Sequence, residues 1–251
     1  MIKIINLRKK FDHRWITDGV NLEIPEGKMT VIIGRSGEGK SILLKQIIGL
    51  IKPTSGEIIV DGVDIVPIAQ NNPNAIFKQF GYVFQFAALL DSLNVFENIG
   101  ITLLEKGMPP DQVVPIVTER LKMVNLKEEI LERMPSEISG GMRKRVGLAR
   151  TLISKPKIIL YDEPTTGLDP ITSRMIHELM FDMQKKLNIT SIVISHDVEI
   201  FKYADYVALL HEGKIRFHGD AKTIWESDNP YIYQFIRGLT KGPIQTESKQ
   251  T

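Results

Sequence analysis

Cysteine is absent from the 251 residues. That removes disulfides, thiolate metal sites and thiol nucleophiles, and it accords with a reducing compartment, so a cytosolic setting is expected. No uncharged apolar run approaches the roughly 18 residues that a membrane-spanning helix needs, and the opening MIKIINLRKK has no apolar segment of the signal-peptide kind. If the protein works at a membrane, a partner is expected to hold it there. Charge of one sign is not in excess either: 32 Lys and Arg stand against 30 Asp and Glu, a formal charge of +2. That balance argues against a broad basic surface, and no nucleic-acid partner is expected. No internal repeat or low-complexity tract interrupts the chain.

What is present is an alternation of short apolar segments with helical patterns, which points to an α/β fold around a parallel central sheet. The length suffices to bury a full core, organised as one domain with an inserted subdomain. MTVIIG from Met29, IILYD over 158–162 and SIVIS over 191–195 read as parallel strands. Each ends in polar or glycine residues, at the carboxyl edge where ligands gather in such sheets. IKIINL, NLEI, GEIIVDG and VALLHEGKIRFHG read as antiparallel strands with Gly-bearing turns and are expected to form a side sheet. From Ala87 to Arg150 apolar residues recur at three-to-four spacing, which marks a helical subdomain over 87–150. The core then comprises 1–86 and 151–240, and 241–251 is a polar tail expected to fray.

Between MTVII and the helical run ILLKQIIGL lies GRSGEGKS: Gly34, Arg35, Ser36, Gly37, Glu38, Gly39, Lys40 and Ser41. In this pattern Gly34 and Gly39 let the backbone curl until several N–H groups face one concavity, and the helix opening at Lys40 adds its positive dipole end. Lys40 is expected against the outer phosphates of a nucleoside triphosphate and the Ser41 hydroxyl on Mg²⁺, with Ile42 closing the contacting stretch. Farther on, KIILYDEP ends a strand in Asp162 and Glu163, whose side chains are predicted to diverge because strand residues alternate. Asp162 is assigned to Mg²⁺ and Glu163 to the water that attacks the γ-phosphate. His196, directly after SIVIS, is placed to donate to that phosphate, and Gln85 in YVFQF to reach Mg²⁺ or the water.

PSEISGGMRKRVGLAR offers a second anion-binding helix start, with Ser139 as N-cap before Gly140 and Gly141. One γ-phosphate and two such starts suggest that two copies of the chain sandwich two nucleotides. Arg143, Lys144 and Arg145 read as a solvated helix face, and Arg150 as packing within the helix. The apolar stretch Phe84–Phe96 reads mostly as core of the helical subdomain.

Together these residues resemble the nucleotide-binding subunit of ATP-binding cassette (ABC) transporters, over nearly the whole chain. GRSGEGKS is similar to the Walker A loop, Gln85 to the Q-loop, ISGGM to the signature motif and IILYDE to the Walker B strand with its catalytic glutamate. Gly167 to Asp169 resembles the D-loop and His196 the switch histidine. The resemblance implies a P-loop NTPase core of ABC type with an antiparallel side sheet and an inserted α-helical subdomain. It further implies ATP and Mg²⁺ as cofactors, an ATP-sandwich homodimer, and Asp169 at the nucleotide. Phe11 resembles the aromatic residue that stacks on adenine, for which a ring face is suited; Trp15 is the weaker candidate, and side-sheet packing is the plain alternative for both. Two positions depart from the usual signature, Ile138 for leucine and Met142 for glutamine, and neither alters Ser139 or the glycines.

FQFAALLDSLNVFENI, SGGMRKRVGLAR and YDEPTTGLDPITS closely resemble the ATPases of the Mla and Mce lipid-transport systems of bacterial envelopes. This implies phospholipid transport through a separate membrane permease, with part of Phe84–Phe96 receiving a permease helix. It places the chain at the cytoplasmic face of the inner membrane, with a STAS-type regulatory subunit and an Mce-type lipid-binding protein in the same complex. An importer ATPase for another small solute would share every nucleotide motif. A soluble ABC ATPase acting on ribosomes or DNA is the third reading, disfavoured by the single cassette and the lack of a long coiled-coil insertion.

Overall fold

The computed structural model describes residues 1–245, so the end of the predicted polar tail, 246–251, lies outside the described residues. In chain order the elements are β1 (Ile2–Phe11), β2 (Arg14–Ile24), β3 (Met29–Ile33), α1 (Lys40–Ile47), β4 (Ser55–Val60), β5 (Val63–Asp64), α2 (Ile65–Asn71) and α3 (Pro73–Phe77). They continue as β6 (Phe80–Val83), α4 (Val95–Leu104), α5 (Pro110–Met123), α6 (Gly140–Leu152) and β7 (Ile158–Asp162). Last come α7 (Pro170–Leu187), β8 (Thr190–Ile194), β9 (Tyr206–His211), β10 (Lys214–Asp220) and α8 (Pro230–Ile236). Two compact units result, Met1–Ile76 with the chain from Ile192 onward, and Phe77–Ser191.

In the first unit β2-β1-β4-β5 form an antiparallel sheet. Ile2 pairs with Ile24 and Val60, and Ile4 with Leu22 and Ile58; all six are buried, so one face of the sheet lies on the core. The alternation breaks at Asn6, where φ is 47° and the N–H donates to Asn21 Oδ1 at 2.9 Å. This irregularity shifts the phase by one residue and buries Leu7 where unbroken alternation would bury Asn6.

A second set of strands in this unit runs β10-β9-β3-β8. The expectation that VALLHEGKIRFHG belongs to the side sheet is corrected here. Its two halves do form the antiparallel hairpin β9–β10, but β9 lies parallel to β3, with Val31 opposite Val207 and Ile33 opposite Leu209. A hairpin signal fixes one edge of a strand and is silent about the other. Val207, Ala208, Leu209 and Leu210 are all buried, as suits an interior strand covered on both faces. The tail is also less frayed than expected as far as it is described. Gln234 of α8 donates to the carbonyls of Leu239 and Ile244 and accepts from the Ile244 N–H, and Ile244 is buried.

In the second unit β6 runs parallel to β7, with Phe80 opposite Ile158 and Val83 opposite Tyr161. Thr190 at the start of β8 donates its N–H to the Lys157 carbonyl at 3.0 Å. Helices α4, α5 and α6 pack on one another. A capping box starts α4: Asn94 Oδ1 accepts from the Glu97 N–H and Glu97 Oε2 from the Asn94 N–H, each at 2.9 Å. One turn on, the fully buried Asn98 ties the loop before the helix to the helix itself.

Candidate nucleotide-binding site

The predicted site residues fall into two groups, one in each unit. In the first, β3 delivers the chain to GRSGEGKS. A Cβ on Gly34 would lie 2.3 Å from the Leu210 carbonyl oxygen, and one on Gly39, where φ is +88°, would lie 2.4 Å from Ile16 Cγ2. Both glycines are therefore required by close backbone or side-chain neighbours as well as by the curl of the loop. Gly39 is the N-cap of α1, in the left-handed conformation. Lys40 is buried and folds back along the loop, its Nζ donating to the carbonyls of Gly34 at 2.9 Å and Arg35 at 2.8 Å.

His196 follows β8 and is exposed, whereas Ser195 beside it is buried. The Ser195 N–H donates to the Ile32 carbonyl at 3.3 Å, so His196 leaves the sheet next to the strand that feeds the phosphate loop. At the end of β1, Phe11 is 43% exposed with Lys9 Nζ 4.8 Å from its ring centroid, and Trp15 is 41% exposed under Lys10. Each ring is thus part exposed and part covered by its neighbours, which keeps both base stacking and side-sheet packing open.

In the second unit the two carboxylates take different partners, and they stand on different backbone. Asp162 ends β7, while Glu163 lies beyond the strand in the left-handed region at φ 47°. Asp162 Oδ2 accepts from the Tyr82 hydroxyl at 2.8 Å. Burial, reinforced by the Asp162 charge, holds that phenol well above its ordinary range, so Tyr82 stays a donor. Glu163 Oε2 accepts from Gln85 Nε2 at 3.2 Å and from Thr166 Oγ1 at 2.9 Å. Gln85, expected at the metal, thus places its amide on the carboxylate assigned to the water.

The basic residues of α6 correct the reading of a solvated face. Lys144 is buried and donates to the Gln85 carbonyl; burial pushes its ammonium pKa down while the Glu163 carboxylate pulls it up. Arg143 donates to the Ile138 carbonyl at 2.6 Å and Arg145 to that of Asn125 at 2.9 Å. Arg150, expected to pack within its own helix, instead holds the carbonyls of Ala87 at 2.8 Å and Ala88 at 2.7 Å. Those two alanines both have positive φ, 60° and 48°, so a strained loop just after Gln85 is clamped by one guanidinium.

Ser139 caps α6, its Oγ accepting from the Met142 N–H at 3.3 Å. A cleft of about 320 Å³ is lined by Ser139, Gly140, Gly141, Arg145, Asp169 and Thr172 among others. Asp169, expected at the nucleotide, spends its carboxylate on capping α7: Oδ1 accepts from the N–H groups of Ile171 and Thr172, and Oδ2 from the Thr172 hydroxyl at 2.6 Å. The Thr172 hydroxyl is the main reason that this carboxyl lies below its usual range. Sequence reasoning missed Tyr82, Thr166 and the role of Lys144. Lys144 had left a signal, because it stands three residues after Gly141 and four before Leu148 in the buried stripe of α6.

The family model described as ABC transporter matches residues 17–166. The chain is 37% identical to the intermembrane phospholipid transport system ATP-binding protein MlaF of Haemophilus influenzae, over 98% of this chain and 93% of that protein. It is equally 37% identical to the probable ribonucleotide transport ATP-binding protein mkl of Mycobacterium leprae, over 97% of this chain and 70% of that one. Among solved structures, the ATP-binding cassette MJ0796 in a dimeric post-hydrolysis state with ADP and Pi superposes with a TM-score of 0.81 at 31% identity, covering 88% of this chain and 99% of that one. The cassette cbiO1 of Clostridium perfringens gives 0.82 at 30% identity, covering 95% and 94%. The glycine-built phosphate loop, the strand-end carboxylates and these likenesses agree: the chain belongs to the ABC transporter family, as an ATP-binding and ATP-hydrolysing cassette.

Proposed function

We propose that this ATPase powers the movement of phospholipid, or a related lipid, through a separate membrane permease, working peripherally at the cytoplasmic face of a bacterial inner membrane. The observation that carries the lipid reading is the likeness to MlaF along nearly the full length of both chains. No helix among the described residues is long and apolar enough to cross a membrane, and Phe86, 80% exposed, and Leu90, 46% exposed, offer apolar surface to such a permease. A STAS-type regulatory subunit and an Mce-type lipid-binding protein belong to the same proposal through the resemblance to the Mla and Mce systems.

In this proposal the loop amides from Gly34 to Ser41 and Lys40 hold the phosphates, Phe11 stacks on the base, and Glu163 takes the proton from the attacking water while His196 steadies the γ-phosphate. Mg²⁺ suits the donors assigned to it, the Ser41 hydroxyl, the Asp162 carboxylate and the Gln85 amide oxygen, all hard oxygen ligands. When bound, it neutralises phosphate charge. The Ser139 cleft, flanked by Ile171 at 77% and Met175 at 51% exposure, supports a second copy closing over the nucleotide.

A second reading, transport of a ribonucleotide or another polar solute, is favoured by the equal identity to mkl. Affinity purification from the native membrane, with identification of co-purified subunits and lipids, separates the two. Bound phospholipid and ATPase activity raised by phospholipid in reconstituted vesicles support the first; stimulation by ribonucleotide with no lipid effect establishes the second.

A further inference from the structure

The phosphate loop contains a carboxylate, Glu38, which would repel phosphate unless it were turned aside and neutralised. Both of its oxygens are taken. Oε1 lies 2.8 Å from His211 Nδ1, and Oε2 accepts the Glu212 N–H at 2.7 Å. The side chains are 14% and 7% exposed, so the pair is shielded from competing water. His211 ends β9, and its ring packs on Tyr231 of α8 with centroids 5.7 Å apart. The loop is supported at two further points: a Cβ on Gly34 would lie 2.3 Å from the carbonyl oxygen of Leu210, the residue before His211, and Arg35 donates to the Gln245 carbonyl at 2.7 Å.

We propose that Glu38 and His211 are a positioning pair that fixes the curve of the phosphate loop, so that its amides stay aimed at the phosphates. Neither residue touches the reacting atoms; the pair acts through the loop backbone. The inference rests on the loop being the phosphate cradle of ATP, and it adds that the cradle is shaped from the β9–β10 turn rather than by its own glycines alone. Lost positioning weakens binding in ground and transition states alike, so KM for ATP rises by more than kcat falls.

The test is ATP affinity of the full chain, by calorimetric titration at fixed magnesium, in Glu38→Ala, His211→Leu, their double variant, His211→Asn, Glu38→Gln and Lys40→Ala. Glu38→Ala and His211→Leu should each weaken binding about tenfold, the scale of a lost charge-assisted hydrogen bond, and the double should be no weaker than the worse single. His211→Asn keeps a donor near the Nδ1 position and Glu38→Gln keeps an acceptor for the Glu212 amide, so both should bind within about threefold of the parent. Unchanged affinity in the two disruptive variants, additive losses in the double, or conservative variants as weak as the disruptive ones would overturn the pairing. If His211→Leu does not fold, the contrast of Glu38→Ala with Glu38→Gln decides by the same criterion. Normal binding by Lys40→Ala would show instead that the loop is not the cradle, a failure of the underlying reading.

Discussion

Replacing Asn98 tests how the segment after Gln85 is held in shape. Its side chain is fully buried and makes four hydrogen bonds. Oδ1 accepts the Leu90 N–H at 2.8 Å, and Nδ2 donates to the carbonyls of Leu90 at 3.0 Å, Leu93 at 2.8 Å and Asn94 at 3.0 Å. Two of those carbonyls have a second donor, the Leu93 N–H on Leu90 and the Asn98 N–H on Asn94. Asn98→Ala therefore removes the side-chain partner of two groups with no such reserve, the Leu90 N–H and the Leu93 carbonyl. Both bonds are part-buried, so water can reach the freed groups; at about 0.5–1.5 kcal/mol for each hydrogen bond lost, the expected loss is about 1–3 kcal/mol.

Asn98→Asp keeps the shape but turns a double donor into a carboxyl facing three carbonyl oxygens. Such a group is forced to stay protonated in the fold, so its pKa is raised above that of the unfolded chain, and stability is lost as pH climbs from the unfolded value of about 3.9. The Asp variant is therefore expected to be less stable at pH 8 than at pH 5, and less stable than Asn98→Ala at pH 8. Amide exchange of Leu90 and of the first turn of α4 reports on this segment directly. Unchanged Leu90 protection in Asn98→Ala, or an Asp variant as stable as the parent at pH 8, would refute the reasoning.

Other variants probe the chemistry. Glu163→Gln should retain ATP binding while turnover falls by roughly a hundredfold to ten-thousandfold, and steady-state phosphate release close to that of the parent would remove Glu163 from its role. Tyr82→Phe removes the hydroxyl that orients Asp162; if Asp162 serves the metal, half-saturation by Mg²⁺ in the ATPase assay should rise by roughly tenfold to a hundredfold. Arg150→Ala should release the strained Ala87–Ala88 turn, seen as faster amide exchange there, and adding Ala88→Gly should not restore protection, because glycine relieves the strain without replacing the clamp.

Much of the fold was legible because its signals are local. The phosphate loop, its flanking strand and helix, and the strand-end carboxylates are each set by residues within one turn or strand, and the structure puts GRSGEGKS between β3 and α1. Partners across strands are a different matter. Tyr82 meets Asp162, and Gln85 meets Glu163, only because β6 lies parallel beside β7, a neighbour far along the chain; parallel register leaves no mark in either segment alone. The misplacement of VALLH has the same origin, since its turn to β10 is local and its pairing with β3 is not.

The two carboxylates show where strand logic misses the local physics. Strand alternation predicts that Asp162 and Glu163 diverge, and it would let any residue stand at either position without strain. The backbone instead turns into the left-handed region at Glu163, a conformation that costs a non-glycine residue about 1–2 kcal/mol. Gln85, Thr166 and, through the Gln85 carbonyl, Lys144 surround that turn and hold it. Glycine at 163 would relieve the strain and asparagine would tolerate it, yet the chain places there a carboxylate with two hydrogen-bond donors aimed at one oxygen, Oε2. Strain that the surroundings over-determine is characteristic of functional positions, and here it fixes the carboxylate to which the chemistry has been assigned.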